Sequence, residues 1–375
     1  MVTIIGGGGA GLYFAWKYKE KHPKAEVTII EEHTDRGKPI QCTGILTKEL
    51  ETLIPKKEIQ TFTLNKITKT KIHSPNDSVT TPISTDYIIC NVSFIKYLHK
   101  KAEKAGVKIL EGYRYLGNED NKIKIKNLET KEETIIEDNF LIAADGPTST
   151  VAKNNGLYDQ KREFLTGVQA RIELKGFDKE QIDFYPHIGE YAWFTPESQT
   201  IARVGVAARK NAKKIFDEFI KKYPGKIIEM QGGPIPLHKP GIKVAKRTKK
   251  LNVALIGDAA IQIKNTTGGG IIPGLKAAKI LAENPEKYEK KLGKLNRELY
   301  IHYLLNKAFS KYTEKDWDAL IKKVNKKSIQ KILLNTNRDK ALGMMLKFVL
   351  NPSMIAEGIK AATKIPRKHN TNKDI

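Results

Sequence analysis

Apolar and polar positions follow the periods of two kinds of element, and their order along the chain predicts an α/β protein. Val2–Ile5 is a β-branched run that meets Gly6-Gly7-Gly8-Gly9-Ala10-Gly11, with a helix predicted over Leu12–Lys21 and a second strand over Glu26–Ile30. This is a strand–helix–strand unit opening at residue 2. Residues 33–60 predict a loop with a short helix, and residues 60–90, rich in Thr, Ile and Lys, predict irregular antiparallel strands. Phe94, Tyr97, Leu98, Ala102 and Ala105 recur at helical spacing, and Gly106 closes that helix. Val107–Leu110 predicts a strand, Lys122–Leu128 with Glu133–Ile136 a hairpin, and Phe140–Ala144 a buried strand running into Asp145-Gly146. Period-two alternation dominates 161–210. Ala212–Lys222 predicts a helix, and Gly232-Gly233-Pro234 is expected to break the regular pattern. Leu251–Ile256 predicts another buried strand and Leu275–Leu281 a helix. Beyond 285 the chain reads as helical and Lys-rich, with apolar patches at Met344-Met345-Leu346 and Phe348-Val349-Leu350 and fraying expected from about Lys368.

Composition narrows the class. A chain of 375 residues at ~150 residues per domain corresponds to two or three domains. An apolar share of 40% supports a packed core, and no run approaches the ~18 apolar residues of a spanning helix. Two cysteines, Cys42 and Cys90, exclude a disulfide framework or a zinc ribbon, and no metal site is expected. Met1–Trp16 lacks the basic start and cleavage site of a signal peptide, so a cytoplasmic protein is expected. The net charge of +24 would draw the chain to nucleic acid, anionic lipid or acidic ligands. Ten of its 66 basic residues are Arg, and the Lys are spread along the whole length. No nucleic-acid-binding motif accompanies them. That leaves a genome-wide compositional habit or attraction to an anionic membrane surface.

Two glycine motifs carry chemistry. Gly6-x-Gly8-x-x-Gly11 lies between a strand and a helix. The first glycine makes a tight turn, the second admits a pyrophosphate and the third lets helix pack on strand, while the helix N-terminus meets the phosphate charge. Glu31 stands twenty residues beyond Gly11, at the end of the next strand, where a carboxylate accepts hydrogen bonds from a ribose. FAD and NAD both satisfy this motif. The choice falls to Leu255-Ile256-Gly257-Asp258-Ala259-Ala260, followed ten residues after Asp258 by Gly268-Gly269-Gly270-Ile271 at a helix start. An Asp there suits the ribityl hydroxyls of a flavin, and a glycine-rich helix start suits the ring edge where charge grows on reduction. Asp145-Gly146 is a weaker third element, which a plain turn would also explain.

These segments together resemble the two-dinucleotide-fold FAD enzymes that include aromatic-ring hydroxylases and geranylgeranyl reductases. The stretch from Gly257 to Ile271 is similar to the geranylgeranyl reductase version, in particular its archaeal digeranylgeranylglycerophospholipid reductase branch; the His and Gly-Gln-Gly of hydroxylases are absent. Lys38-Pro39-Ile40-Gln41-Cys42-Thr43-Gly44 resembles the reductases' cysteine loop, and Tyr191-Ala192-Trp193-Phe194-Thr195-Pro196 their substrate motif Pro-x-x-Tyr-x-Trp-x-Phe-Pro. The sequence departs from the family pattern at Ile188 and Thr195, at Asn265 where a Pro is usual, and at Asn91, which stands where the family has a cofactor-contacting Arg.

The resemblance implies a glutathione-reductase-type FAD-binding Rossmann domain formed by residues 1–60, 88–160 and 250–285. An inserted antiparallel β-sheet substrate domain would comprise 61–87 and 161–249, and a helical C-terminal region 286–375. FAD would be bound by Gly6, Gly8, Ala10, Gly11, Glu31, Cys42, Thr43, Gly44, Asn91, Asp145, Gly146, Gly257, Asp258, Gly268, Gly269, Gly270 and Ile271. The implied reaction saturates C=C bonds of a geranylgeranyl-type chain on a lipid, with hydride from reduced flavin and a proton. Cys42 would relay that proton or tune the flavin as an exposed, polarisable thiol. Tyr191 and Trp193, two apart on a strand, would form an aromatic wall for developing positive charge. Electrons would come from NAD(P)H, ferredoxin or a similar carrier, and the basic helical tail would sit peripherally at the inner face of the membrane. Cys90 reads as core, and His187 and His238, close to prolines, as surface residues. Two other classes remain open: a flavin monooxygenase, and an FAD-binding protein without reductase activity.

Overall fold

A computed structural model describes residues 1–349 and 363–364. The fraying expected from Lys368 therefore lies outside the described residues.

The buried Val2–Ile5 run forms the centre of a six-stranded sheet, because β-branched residues enclosed on both faces favour a parallel strand. It pairs in parallel with Val27–Glu31 on one side and Phe140–Ala143 on the other. Lys108–Glu111 closes one edge, and Asn252–Leu255 with the antiparallel Ala245–Arg247 closes the other. Helices Gly9–Lys21, Asn91–Lys104 and Ile271–Glu283 pack together on this sheet. A three-stranded meander, Tyr113–Glu119, Lys122–Asn127 and Glu133–Glu137, adds Tyr115, Ile123 and Ile125 to the same core. The expected hairpin is thus two strands of this meander.

The second sheet has eight strands, in the order Lys226–Pro236, Phe164–Glu173, Ile201–Ala208, Tyr191–Pro196, Gln181–Tyr185, Thr63–His73, Ser78–Ile89 and Ile45–Thr47. All neighbours are antiparallel except the parallel pair Gln181–Tyr185 and Thr63–His73. Its two faces divide by residue parity. Ala192 and Phe194 pack with Phe216 and Phe219 of the helix Ala212–Phe219, whereas Tyr191 and Trp193 pack with Leu165 and Leu237 on the opposite side.

Gly232-Gly233-Pro234 does not break the pattern as expected but lies inside the strand Lys226–Pro236. An edge position explains it. The strand pairs on one side only, so Pro234 forfeits no ladder bond, and a Cβ at Gly232 would sit 2.8 Å from the Gly167 carbonyl, an approach only glycine allows.

The tail is helical as expected: Gly293–Phe309, Glu314–Val324, Lys327–Leu334 and Ala341–Val349. Thr313 and Asp316 form a capping box at the second of these, and Ile321 and Val324 dock on Val79 of the large sheet. Among the described residues no helix is long and apolar enough to cross a membrane, and no group of side chains could hold a metal ion.

Candidate active site

Between the two sheets and the tail lies a cavity of about 1070 Å³, slightly more than the ~300–1,000 Å³ of an ordinary small-molecule site. Gly6–Gly9 and Glu31 line one end; Cys42, Tyr191, Trp193 and Gly268–Ile271 line another. The early and late glycine turns thus open onto one space.

At the first end the wall is backbone. Gly6 adopts φ +106, and a Cβ there would lie 2.3 Å from the Ala144 carbonyl. A Cβ at Gly11 would lie 2.1 Å from the Gly6 carbonyl, whereas one at Gly8 would meet nothing within 4 Å. The first and third glycines are therefore demanded by packing and the second by the space it leaves. Ala10 approaches Gly257, where a Cβ would stand 3.0 Å from its own, so the two turns touch behind the wall. Glu31 Oε2 accepts the Gly7 amide at 2.6 Å, and Oε1 accepts the His33 amide at 2.9 Å.

Helices Gly9–Lys21 and Ile271–Glu283 both begin with no side-chain cap and no acidic residue in the first turn. Their free amides suit an electron-rich ligand. Buried without hydrogen-bond partners on the cavity wall are Asp145 Oδ1, Thr267 Oγ1 and Tyr191 Oη, each a costly omission unless a ligand completes it. Gly146, at φ +81, has open space where a Cβ would project. Asp258 is pushed up to about 6 by burial, and a Cβ at Gly270 would stand 2.9 Å from its Oδ1. A glycine cradle, two uncapped helix starts and orphaned polar atoms on the wall of one cavity fit a dinucleotide such as FAD.

The Cys42 end is built from side chains and loop peptides. Asn91 Nδ2 donates to the Cys42 carbonyl at 2.6 Å, and the Gly44 amide, at φ +72, donates to Cys42 Sγ at 3.3 Å. Cys42 is half-buried rather than exposed, and burial pushes its thiol up. Trp193 Nε1 donates to Gln169 Oε1 at 3.2 Å, Thr43 Oγ1 donates to the same oxygen at 2.8 Å, and Gln169 Nε2 donates to Gln231 at 2.5 Å. Tyr191 and Trp193 stand 5.9 Å apart, ring to ring. A Cβ at Gly268 would lie 2.1 Å from Tyr191 Oη, which sets that hydroxyl directly on the late glycine turn.

Two further expectations fail. His238 is buried, not a surface residue: its amide donates to Asn265 Oδ1 at 2.6 Å, its Nδ1 faces the Ile261 carbonyl at 3.0 Å, and Asn265 Nδ2 returns a bond to its carbonyl. Asn265, where a proline was usual, ties down the late glycine loop by these bonds. Cys90 is half-buried rather than core, at the N-terminal boundary of the helix Asn91–Lys104. His187 is half-buried, its Nδ1 facing the His73 carbonyl at 3.2 Å.

Sequence reasoning missed Arg203 and the pair Lys264–Asp339. Arg203 donates to the Thr43 and Ile89 carbonyls, and its signal was a lone charge in the small-residue strand Ile201–Ala208. Lys264, inside the late glycine loop, pairs with Asp339 of the tail at 2.5 Å, and Arg338 pairs with Asp86 at 2.6 Å. Spacing gave no sign of partners so distant in the chain.

Residues 1–175 match the FAD binding domain family. A digeranylgeranylglycerophospholipid reductase of Methanocaldococcus jannaschii is 28% identical, covering 85% of this chain and 89% of its own. Digeranylgeranylglycerophospholipid reductase 1 of Methanothermobacter thermautotrophicus is 30% identical over 75% of this chain and 76% of its own. The crystal structure of a geranylgeranyl bacteriochlorophyll reductase-like protein from Thermoplasma acidophilum superposes with a TM-score of 0.80 at 22% identity, covering 96% and 98% of the two chains. The cofactor is FAD, and from the cleft and these relationships together it follows that the chain belongs to the geranylgeranyl reductase family of FAD-dependent oxidoreductases.

Proposed function

We propose that this protein saturates isolated C=C bonds in the geranylgeranyl-type chains of a membrane lipid. The observation that carries this reading is that Cys42, Tyr191 and Trp193 line one cavity with both glycine turns, and the relatives' names point to the same substrate class.

When bound and reduced, FAD supplies the hydride; the rest falls to the chain. Gly6, Gly8, Gly11 and Glu31 would hold the nucleotide end, with Asp145, Gly146, Asp258, Asn91 and Gly268–Ile271 along the remainder. No carbonyl polarises an isolated alkene, so one carbon must receive a proton while the other receives the hydride. Cys42 holds that proton, because burial keeps the thiol protonated at neutral pH. Tyr191 and Trp193, 4% and 8% exposed, keep water out and turn ring faces toward the developing positive charge, an effect of roughly 0.5–2 kcal/mol each.

The finer architecture follows from the same reading: a glutathione-reductase-type arrangement with FAD-binding segments 1–60, 88–160 and 250–285, a substrate domain at 61–87 and 161–249, and the helical region 286–375. The strands Ile45–Thr47 and Ala245–Arg247 cross those borders, each pairing with the other unit's sheet. Each bond saturated consumes two electrons, so an external carrier such as NAD(P)H or ferredoxin re-reduces the cofactor. Leu333 and Met344 bring the tail to the cavity wall, and the whole chain, with a net charge of +24, would meet an anionic membrane surface at the cytoplasmic side.

Coexpression with a pathway for unsaturated prenyl-ether lipids, followed by lipid mass spectrometry, tests the proposal. Two hydrogens are gained per bond, and Cys42→Ala or Trp193→Ala abolishes the gain. An unchanged lipid profile with fully flavinylated protein rejects it.

A further inference from the structure

The peptide units around Cys42 are fastened one by one. The Cys42 carbonyl accepts from Asn91 Nδ2 and the Gly44 carbonyl from the Ile89 amide, at 2.6 and 2.9 Å. The Thr43 carbonyl between them accepts from Arg203 Nη1, and Arg203 Nη2 also donates to the Ile89 carbonyl at 3.2 Å. Of these fasteners only Arg203 carries a charge. It is 4% exposed on a strand of small apolar residues, and a Cβ at Gly44 would come within 2.9 Å of Nη1.

Two neutral carbonyls do not require a buried cation, which is costly to desolvate unless paired. The chain pairs it. Glu197, itself buried, meets Arg203 Nη2 at 3.1 Å and gives its other oxygen to Arg171 Nε at 2.8 Å. Arg171 reaches on to Glu229 at 3.3 Å. Burial pushes the Glu197 carboxyl up, but the two guanidiniums outweigh it and hold it below the ordinary range. A four-membered ionic train thus fixes one positive group under the cysteine loop.

We propose that Arg203 is a positioning residue for Cys42, fixing the peptide beside the thiol and stabilising the negative charge left on sulfur when its proton departs. The inference rests on Cys42 as proton donor. The S–H bond breaks, its proton goes to one alkene carbon and the hydride to the other, and a proton from solvent restores the thiol after product leaves. The Gly44 amide of its own loop contacts Cys42 Sγ, and the titratable groups close enough to act on it are Arg203 from the sheet, Asp258 from the late glycine turn and Tyr191 from the neighbouring strand. Burial raises the thiol and Asp258 adds to the rise, while the Gly44 amide and Arg203 pull the other way; Tyr191 is close enough to feel the sulfur's charge.

Alkylation of the holoprotein by iodoacetamide, followed against pH on the Cys42 peptide so that Cys90 does not count, reads this directly. In Arg203→Gln the midpoint moves up by about one pH unit, the low end for loss of a near cation, and Arg203→Lys returns most of the shift. In Glu197→Gln, which frees the guanidinium from its counter-charge, the midpoint moves down. A merely structural Arg203 would loosen the loop and let water in, so the Arg203→Gln midpoint would fall toward that of an ordinary thiol; that result, or no change, overturns the proposal. Full activity in Cys42→Ser would refute the proton-donor reading alone, since the alkylation shift does not depend on it.

Discussion

At the Gly6–Gly11 end of the cavity the wall is backbone and empty space, with a Cβ excluded at Gly6 and Gly11 and free at Gly8. At the Cys42 end it is side chains drawn from strands, a loop and the tail, held by Gln169, Arg203 and the Lys264–Asp339 pair. A site made from backbone shape writes itself into local sequence, because few residues but glycine fit. A site made from long-range side-chain pairing leaves almost no local trace. The two ends should also fail differently when altered.

The largest loss is expected where a charge would be stranded. Lys264 and Asp339 have side chains 6% and 2% exposed. Asp339→Ala leaves the ammonium buried without a counter-ion and should cost about 3–5 kcal/mol in urea unfolding, and Lys264→Met with Asp339→Leu should recover most of it.

Asp258 comes next. Burial pushes its carboxyl up to about 6 in the apoprotein, whereas the unfolded chain releases the proton near the ordinary 3.8. The native state therefore binds more protons between those values, and stability falls as pH rises through that window, to a deficit of at most roughly 3 kcal/mol above pH 6. Apo Asp258→Asn should be more heat-stable than the parent at pH 8, with the gain shrinking by pH 5, and should bind FAD more weakly.

Gly11→Ala forces a backbone shift against the Gly6 carbonyl and should cost about 1–3 kcal/mol together with FAD affinity. Gly8→Ala is the smallest for stability and the sharpest for the comparison. Its φ of −77 suits alanine and nothing stands within 4 Å, so unfolding should move by under about 0.5 kcal/mol while the FAD dissociation constant rises at least tenfold.

Legibility in the sequence followed the same division. Gly6, Gly8, Gly11 and Glu31 were readable because all four sit at fixed spacing on one strand–turn–helix–strand unit. Gly268–Gly270 were readable as a helix start. Tyr191 and Trp193 share a face because strand parity is local. The strand through Gly232-Gly233-Pro234 was not readable, since Gly232 answers to Gly167 in another strand and Gly233 to Gln41 of the cysteine loop. Nor was the burial of His238, which depends on Asn265. Arg203 and Asp339 act on partners 160 and 75 positions away, distances at which one sequence carries no pairing signal.

Anaerobic mixing of the chemically reduced holoprotein with a geranylgeranyl lipid, watching flavin absorbance and lipid mass together, tests the proposed chemistry most directly. Alkene reduction predicts that the flavin reoxidises without oxygen, in step with the gain of two hydrogens per bond. A flavin that stays reduced over an unaltered lipid, and reoxidises only when oxygen is admitted, would contradict it.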